Sequence, residues 1–216
     1  TTEIYTLSLH DALPIYPDVK IREPIVEGLF YPDTGDALRK DIETFTAASG
    51  EPRGKAFGIA APHAAYEKAG PLIASAFLSA AERKIKRAVM LGPVHRDFTD
   101  EIILPESSWF RTPLGTVRVD EESVETLLSC GTMFVRNDIP HLEEHCIEVL
   151  LPFVQFHFPE AGIVPVLVGR DSKAAVKALE KALFIAFGEV FAETLFVVST
   201  NFSGGGDIGA DRKSVV

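Results

Sequence analysis

Four short apolar runs, separated by stretches with helical periodicity, constrain the fold of this chain more than any other feature. The runs are Ala56–Ala61, Ala88–Gly92, Gly162–Val168 and Thr194–Ser199. Each is apolar nearly throughout instead of alternating with polar residues, which is typical of strands buried on both faces of a parallel sheet. The sequence therefore predicts a three-layer α/β fold, with a mostly parallel sheet and helices on both faces.

The segments between these runs have the apolar spacing of amphipathic helices. A hairpin is expected where Trp109–Thr112 and Thr116–Val119 flank a Pro-Leu-Gly turn. The first predicted helix begins at about Asp36. The others cover Pro71–Arg83, the segment from an N-cap at Asp120 to Ser129, Glu144–Phe158, and Ser172–Val190. Within the second helix, Leu72, Ala76 and Leu78 are the expected core contacts.

The two ends of the chain differ in character from the rest. Leu9–Ile15 and Asp211–Val216 can be encoded by opposite strands of one short piece of DNA, and both resemble translated sequencing-adapter sequence. We therefore expect residues 1–15 and 211–216 to be foreign, with one α/β domain over residues 16–210. On this interpretation the domain is truncated at its C-terminal end.

Charge and cysteine content exclude several classes of protein. The formal net charge is −10 and the basic residues form no cluster, which argues against nucleic acid or an anionic membrane as the main partner. No apolar run approaches the ~20 residues of a transmembrane helix. Cys130 and Cys146 are the only cysteines, too few for a disulfide framework. These features favour a cytoplasmic location.

Two histidines directly follow apolar runs. His63 comes after Pro62 at the end of the first run, and His95 comes two residues after Pro93 at the end of the second. Because ligands of open α/β sheets bind outside the carboxyl ends of the strands, the topology should bring both histidines to one edge. Imidazole binds zinc, copper and iron. We therefore predict a binding site at this edge, to which a metal would be suited, lined also by Pro62, Pro93 and the loop Ser199-Thr200-Asn201, although each histidine alone would be explained by a loop cap.

The other histidines carry weaker signals. His145 and Glu148 lie one turn apart on a predicted helix, which suits a third ligand, an acid/base pair or merely an exposed turn. His141 precedes two carboxylates and is expected at the surface. His157 is expected to pack against its neighbours, and Cys146 to be buried and inert.

Seven ordered blocks of this sequence resemble the Memo family, whose bacterial and archaeal members are often labelled AmmeMemoRadiSam system protein B. They cover essentially all of residues 16–210. In chain order the blocks read REPIVEGLFYP, APHAAY, LGPVH, RTPLGTVRVD, EEHCIEVLLPF, IVPVLVG and VVSTNFS.

The resemblance implies a fold and a site. Memo proteins are similar to the class III extradiol dioxygenases, which hold non-haem iron with two histidines and a carboxylate. His63 and His95 would fill the two histidine positions, and His145 would line the same pocket. The implied metal is iron or copper, with zinc as an alternative occupant, and the implied partner is a radical-SAM protein. The third ligand, usually a cysteine in Memo proteins, would lie beyond Ala210.

The loop after the last run departs from the family pattern. Family members typically have aspartate, histidine and an aromatic residue where this chain has Asn201, Gly204 and Gly205. The replaced histidine would be the acid/base group of a dioxygenase. We therefore expect a metal-binding, redox-related Memo protein. The alternatives are a ring-cleaving dioxygenase and a non-catalytic scaffold that binds a peptide or a small anion.

Overall fold

The computed structural model describes residues 20–51, 54–96, 99–169 and 172–201. The adapter-like ends and the loop positions Gly204 and Gly205 lie outside these ranges. Two short 3-10 helices, Glu148–Leu150 and Phe191–Glu193, accompany the main elements. In chain order, the main elements are β1 (Ile21–Arg22), α1 (Gly35–Ser49), β2 (Gly58–Ala61), α2 (Tyr66–Leu78), β3 (Arg87–Pro93), β4 (Ile102–Leu104), β5 (Trp109–Thr112), β6 (Gly115–Arg118), α3 (Glu121–Ser129), β7 (Phe134–Arg136), α4 (Asp138–Glu143), α5 (Leu151–His157), β8 (Gly162–Val168), α6 (Lys173–Phe187) and β9 (Thr194–Ser199).

The main sheet has six strands in the order β2-β9-β3-β8-β4-β7. The four apolar runs form the first four strands in this order, β2, β9, β3 and β8, and each pairs in parallel with the next. β4 runs antiparallel to β8, and β7 is parallel to β4. The prediction of a mostly parallel sheet in an α/β fold is therefore confirmed.

Five of the six α-helices in the described ranges form two groups. One consists of α1, α2 and α5, which contact one another, and the other of α3 and α6. Successive residues of a strand point to opposite faces of a sheet, and β9 follows this rule. The Phe196 ring lies 5.8 Å from that of Phe187 in α6, whereas Ser199, of the opposite parity, contacts Cys146 ahead of α5. This grouping matches helices on both faces.

A second, smaller sheet flanks the first. β5 and β6 form the predicted antiparallel hairpin, whose turn places Gly115 at a positive φ of 115°. A glycine is favoured here because side-chain-bearing residues rarely adopt this region. β1 adds a third strand in parallel with β5, and this strand was not predicted. It brings the chain entering at Arg22 beside the hairpin.

The helix α2 begins earlier than the sequence predicts and buries a different face. It starts at Tyr66, whose amide donates to the carbonyl of Phe30 and whose hydroxyl donates to the carbonyl of Val149. The prediction that the helix begins at Pro71 is wrong, and so is the expected contact of Leu72, which is 56% exposed. The buried stripe instead follows the spacing of a helix that begins at Tyr66, through Ala69, Gly70, Ile73, Ala74 and Phe77.

The predicted helix over Glu144–Phe158 is wrong in its first part. The chain leaves α4 at Glu143, passes through an irregular loop, and becomes helical again only with the 3-10 turn and α5. Pro152 lies in the first turn of α5, where its missing N–H costs no helical hydrogen bond. His145 and Glu148 therefore do not share the helix face that the sequence predicted.

The irregular loop is held by a buried ion pair between Arg22 and Glu148. The guanidinium also donates to the carbonyls of His141 and Glu144, both at 2.9 Å. The Glu148 carboxylate accepts further hydrogen bonds from two backbone amides and from the hydroxyl of Tyr31, the last at 2.6 Å. Arg22 thereby supplies donors to two carbonyls at the point where α4 ends and no helical amide reaches them.

His141 is buried, which corrects the expectation that it lies at the surface. Only 2% of the residue is exposed, and its Nε2 lies 3.2 Å from the carbonyl oxygen of Ile103. Burial lowers its pKa to about 4. His157 packs as expected, stacked on Phe77 with ring centroids 5.9 Å apart.

The helices give no sign of a membrane span. Within the described ranges, no helix is both long enough and apolar enough to cross a bilayer.

Removal of the Glu148 charge should destabilise the fold strongly. Glu148→Gln leaves the Arg22 guanidinium buried without its counter-ion, which costs about 3–5 kcal/mol of the free energy of unfolding. The matched control is Glu106→Gln, which breaks the exposed Lys20–Glu106 pair and should change stability little. Urea unfolding of the three proteins measures the difference, and equal stability of the two variants would contradict this assignment.

Acid should destabilise the protein through His141. Its folded pKa of about 4 lies below the ordinary value of 6.5, so the unfolded chain binds the proton more tightly. Stability that is present above pH 6.5 is therefore lost as the pH falls towards 4, by about 3 kcal/mol for this one group. The free energy of unfolding, measured at several pH values in this range, should depend less steeply on pH in His141→Gln than in wild type. An equal pH dependence in the two proteins would contradict the expectation.

Candidate functional site

Three histidines from separate loops meet at the carboxyl edge of the main sheet. His63 follows β2, His95 follows β3, and His145 lies in the irregular loop after α4. The ring centroids of His63 and His95 are 5.2 Å apart, and the His145 ring lies 5.6 Å from the first and 5.8 Å from the second. The structure thus brings together the three histidines that the sequence singled out.

The proton of His63 is fixed on Nδ1 by Ser199. The Ser199 hydroxyl donates to the carbonyl of Cys146 at 2.7 Å, and its oxygen lies 2.8 Å from Nδ1 of His63. A hydroxyl has only one proton to donate, so Ser199 accepts from His63 and the Nδ1 atom carries the hydrogen. The Nε2 atom is then a bare lone pair. It is buried and has no partner among the residues that the structure describes.

His95 is oriented by a carboxylate. Glu144 accepts from the backbone N–H of His95 at 2.6 Å and lies 2.7 Å from its Nδ1. The hydrogen bond to Glu144 raises the pKa of His95. Burial of Glu144 opposes its ionisation, but the hydrogen bonds from His95 prevail and lower its pKa. A carboxylate on Nδ1 leaves Nε2 as the atom that can face a metal.

The loop that carries His145 is locked against the end of β3. The Cys146 thiol donates to the carbonyl of Pro93 at 3.3 Å. A Cβ atom on Gly92 would lie only 2.6 Å from the Cys146 sulfur, so this close approach requires glycine. Burial raises the pKa of the Cys146 thiol well above its usual range, which agrees with the expectation that it is inert. The ring of Phe30 supports His145 from one side, at 4.9 Å.

The electrostatic surroundings keep two of the three imidazoles neutral. Burial, followed by the nearby charge of His95, lowers the pKa of His63 to about 4. The same two causes lower the pKa of His145. Both rings are therefore neutral at physiological pH, the form in which imidazole binds a metal or accepts a proton.

The remaining predicted pocket residues occupy mixed positions. The backbone amide of Thr200 donates to the carbonyl of Ala61 at 3.0 Å and ties the loop after β9 to the loop after β2. Pro62 is buried and Pro93 is half-buried, whereas Asn201 is exposed. Glu148, also predicted to line the pocket, has both of its carboxylate oxygens bonded to Arg22, Tyr31 and backbone amides.

Two residues that position the site were not singled out by the sequence. Glu144 was treated only as a charged neighbour of His141, and Arg22 only as part of a family block. Glu144 directly follows α4, and its carboxylate reaches a histidine 49 residues away in the chain. A contact of this separation has no local pattern, so only its place next to His145 in the EEHCIE block hinted at it.

The separations of the three rings are compatible with a metal that the imidazoles share. A metal about 2.1 Å from an imidazole nitrogen lies about 3.2 Å from the ring centroid, so two rings that share it have centroids at most about 6.4 Å apart. All three separations satisfy this limit. Within the described ranges, however, no group of three or more His, Cys, Asp or Glu side chains has the arrangement of a metal site as it stands.

The mainly parallel sheet and its flanking helices make this an α/β protein, with three histidines at the carboxyl edge of the sheet. The family follows from sequence comparison: the model of Memo-like proteins matches residues 22–207, and the chain belongs to the Memo family.

Relatives in bacteria and archaea agree with this membership. A MEMO1 family protein of Thermotoga neapolitana is 37% identical over 203 residues, which cover 85% of this chain and 70% of the relative. One from Methanobrevibacter smithii is 30% identical over 193 residues, with coverage of 84% and 68%. One from Pyrococcus horikoshii is 32% identical over 189 residues, with coverage of 84% and 64%.

Loss of the Glu144 charge should lower the pKa of His95. In Glu144→Gln the hydrogen bond that favours the protonated ring is weakened and the negative charge is gone, so the pKa falls from its raised value. The measurement is an NMR titration of the histidine ring protons in wild type and variant. Glu143→Gln, on the exposed neighbouring residue, is the matched control. A His95 pKa that is unchanged in Glu144→Gln would contradict the assignment.

Proposed function

We propose that this chain is a metal-binding Memo protein in which His63 and His95 hold a divalent transition metal through their Nε2 atoms. One observation carries the proposal. The Ser199 hydroxyl fixes the His63 proton on Nδ1 and leaves a buried Nε2 lone pair without a protein partner. An unpaired buried polar atom is costly, and a metal ion bound to it would remove that cost.

The chemistry of the donors limits the choice of metal. Imidazole ligands suit iron, copper and zinc, and a two-histidine site leaves coordination positions open for other donors. Iron or copper fits the redox role that the family resemblance implies, with zinc as an alternative occupant. Such a metal supplies Lewis acidity or electron transfer at its open positions. In this arrangement the Cys146 thiol is occupied by its hydrogen bond to the carbonyl of Pro93, so we do not assign it as a ligand.

The residues around the metal then have separate tasks. Glu144 orients His95 and raises its basicity, as carboxylates beside metal-bound histidines commonly do. Ser199 orients His63. His145 is neutral and lies within 6 Å of both rings. We assign it the role of a proton acceptor beside the two ligand histidines, which makes it the candidate catalytic residue.

The likeness to class III extradiol dioxygenases and the radical-SAM partner belong to this proposal as expectations from the family resemblance. Oxygen uptake with catechols tests the dioxygenase alternative. Consumption of one oxygen per ring cleaved would establish it. Metal binding without oxygen uptake would favour a redox role beside a radical-SAM partner. No metal binding at all would favour the non-catalytic scaffold.

Metal content should depend on the two ligand histidines. Wild-type protein loaded anaerobically with iron(II), copper or zinc and then desalted should retain about one metal per chain by elemental analysis. His63→Ala and His95→Ala should each retain only traces, since a single imidazole cannot hold the ion. His157→Phe, outside the site, should retain the wild-type content. Equal metal content in all four proteins would refute the site.

Substitution of Ser199 should weaken metal binding without removing a ligand. In Ser199→Ala the His63 ring loses its fixed proton position, and affinity should fall about 10–100-fold, as for other supporting residues of metal sites. Ser199→Thr keeps the hydroxyl and should restore most of the affinity. Competition with a chelating dye measures each protein, and nitrogen-15 shifts of His63 report its tautomer. Unchanged affinity and tautomer in Ser199→Ala would contradict the role.

A further inference from the structure

Part of the main sheet is exposed on one of its two faces. Phe196 of β9 packs on Phe187 of α6, which identifies the side of β9 that is turned towards α6. Val198 points to the same side because alternate residues of a strand do so, and it is 40% exposed. Gly58 and Ala60 of β2, which are paired in register with these two β9 residues, are exposed as well. We call Gly58, Ala60 and Val198 the open face.

The opposite face of the same two strands is covered. Ile59 and Ala61 of β2 are buried, and Val197 of β9 has no exposed surface. Strands that pair in parallel normally have helices on both faces of their sheet. The open face is therefore a gap in one layer of an α/β fold whose other layer is complete at this position.

The helix α6 borders this gap with apolar side chains. Leu183 and Val176 lie four and eleven residues before Phe187 and therefore share its side of the helix. Because Phe187 is the residue that packs on β9, this side of α6 is turned towards the open face. Val176 is 55% exposed. The open face and this side of α6 together form a partly exposed apolar surface.

The strand β2 also has a free edge. It is the first strand of the main sheet, and within the described ranges only β9 pairs with it. The carbonyls of Phe57 and Ala61 accept from amides on the β9 side. The backbone groups of Gly58 and Ala60 alternate with these and so point to the free edge. Edge strands are usually protected by charged residues or proline, and Gly58–Ala61 contains neither.

The connections within the sheet indicate where a further helix would lie. From β2 to β3 the chain crosses the sheet in one direction, with α2 in one helix group. From β8 to β9 it crosses in the opposite direction, with α6 in the other group. Right-handed crossovers require this change of face. A chain that continued from β9 to a parallel strand at the free edge of β2 would cross in the same direction as β8 to β9. Its helix would therefore lie over the open face.

The lengths of the relatives supply an occupant for the gap. The match covers 70% of the Thermotoga neapolitana protein and 64% of the Pyrococcus horikoshii protein, so each has a substantial part outside it. A second copy of this chain would suit the gap less well. Two β2 edges could pair with each other, but edge-to-edge pairing extends a sheet and covers neither of its faces.

We propose that the open face and the free edge of β2 together bind the C-terminal part of the Memo polypeptide. This part is expected beyond Ala210, where the truncation removes it. It forms a helix whose apolar side lies against the open face and against Val176, and then a strand that pairs with the free edge of β2. Binding of this part thus completes the second helix layer and protects the open edge, and it does not depend on a metal.

Binding in trans tests this surface. The probe is the segment of the Thermotoga neapolitana relative that follows the position aligned with Asn201, prepared as a separate polypeptide and titrated into the 216-residue chain. A one-to-one complex is expected by calorimetry. In the complex, the backbone amides of Gly58 and Ala60 should exchange with deuterium about tenfold more slowly than in the chain alone. A complex that leaves their exchange rates unchanged would overturn the proposal.

A covalent fusion removes the need for the free segment to fold alone. The same segment joined directly after Asn201 should slow exchange at Gly58 and Ala60 in the same way, and should reduce the fluorescence of a dye that binds exposed apolar surface. Absence of a complex in trans, together with unchanged exchange and unchanged dye binding in the fusion, would overturn the proposal.

Substitutions on the open face locate the binding. Ala60→Asp and Val198→Asp would bury a charge under the bound helix, so each should weaken binding of the segment about tenfold or more. The matched control is Leu72→Asp, at a residue of α2 that is 56% exposed in the other helix group, and it should leave binding unchanged. Thermal denaturation shows that each variant is folded. Equal affinities in all four proteins would overturn the proposal.

Sedimentation of the chain alone tests the second copy as the occupant. A dimer that the Ala60→Asp substitution disrupts and that the added segment does not displace would assign the open face to self-association and overturn the proposal. A monomer, or a dimer that the segment displaces, is the expected result.

Discussion

The buried ion pair between Arg22 and Glu148 is the interaction on which the rest of the structure depends. It connects the N-terminal segment, which the sequence predicts only as a loop, to the irregular segment between α4 and α5. That segment carries Glu144 and His145. Buried charge pairs often add little net stability compared with apolar packing, so the value of this one lies in specificity. It ends α4 at a fixed point and thereby sets where the third histidine lies.

In the candidate site, the group bonded to Nδ1 of His63 and of His95 determines which ring nitrogen carries the proton and which is free to bind. His63 and His95 lie side by side but have opposite pKa shifts: burial and the nearby charge of His95 lower the pKa of His63, whereas the hydrogen bond to Glu144 raises the pKa of His95. In both rings the supporting group lies on Nδ1. The two Nε2 atoms are thus the ones available for further chemistry, which is the arrangement expected beside a metal.

The sequence predicted the parts of the fold that are encoded locally. Gly162–Val168 and Thr194–Ser199 were predicted residue for residue, since a fully buried strand is apolar throughout. His63 and His95 were brought to one edge by topology alone. The loop around His145 could not be predicted in this way, because its carbonyls are bonded to Arg22, which lies more than a hundred residues earlier in the chain. The start of α2 was missed for a similar reason: Pro71 suggested a boundary, but Tyr66 is held by distant carbonyls.

The position of β9 has a consequence for how the protein is made. β9 lies between β2 and β3 and pairs with both, although it is the last strand in the described part of the chain. During synthesis β2 and β3 leave the ribosome before β9, so the strand edges that later pair with β9 are unpaired at first. Such long-range pairing is slow to form and leaves partly folded chains prone to association. His63 therefore gains its partner Ser199 only after β9 has been made.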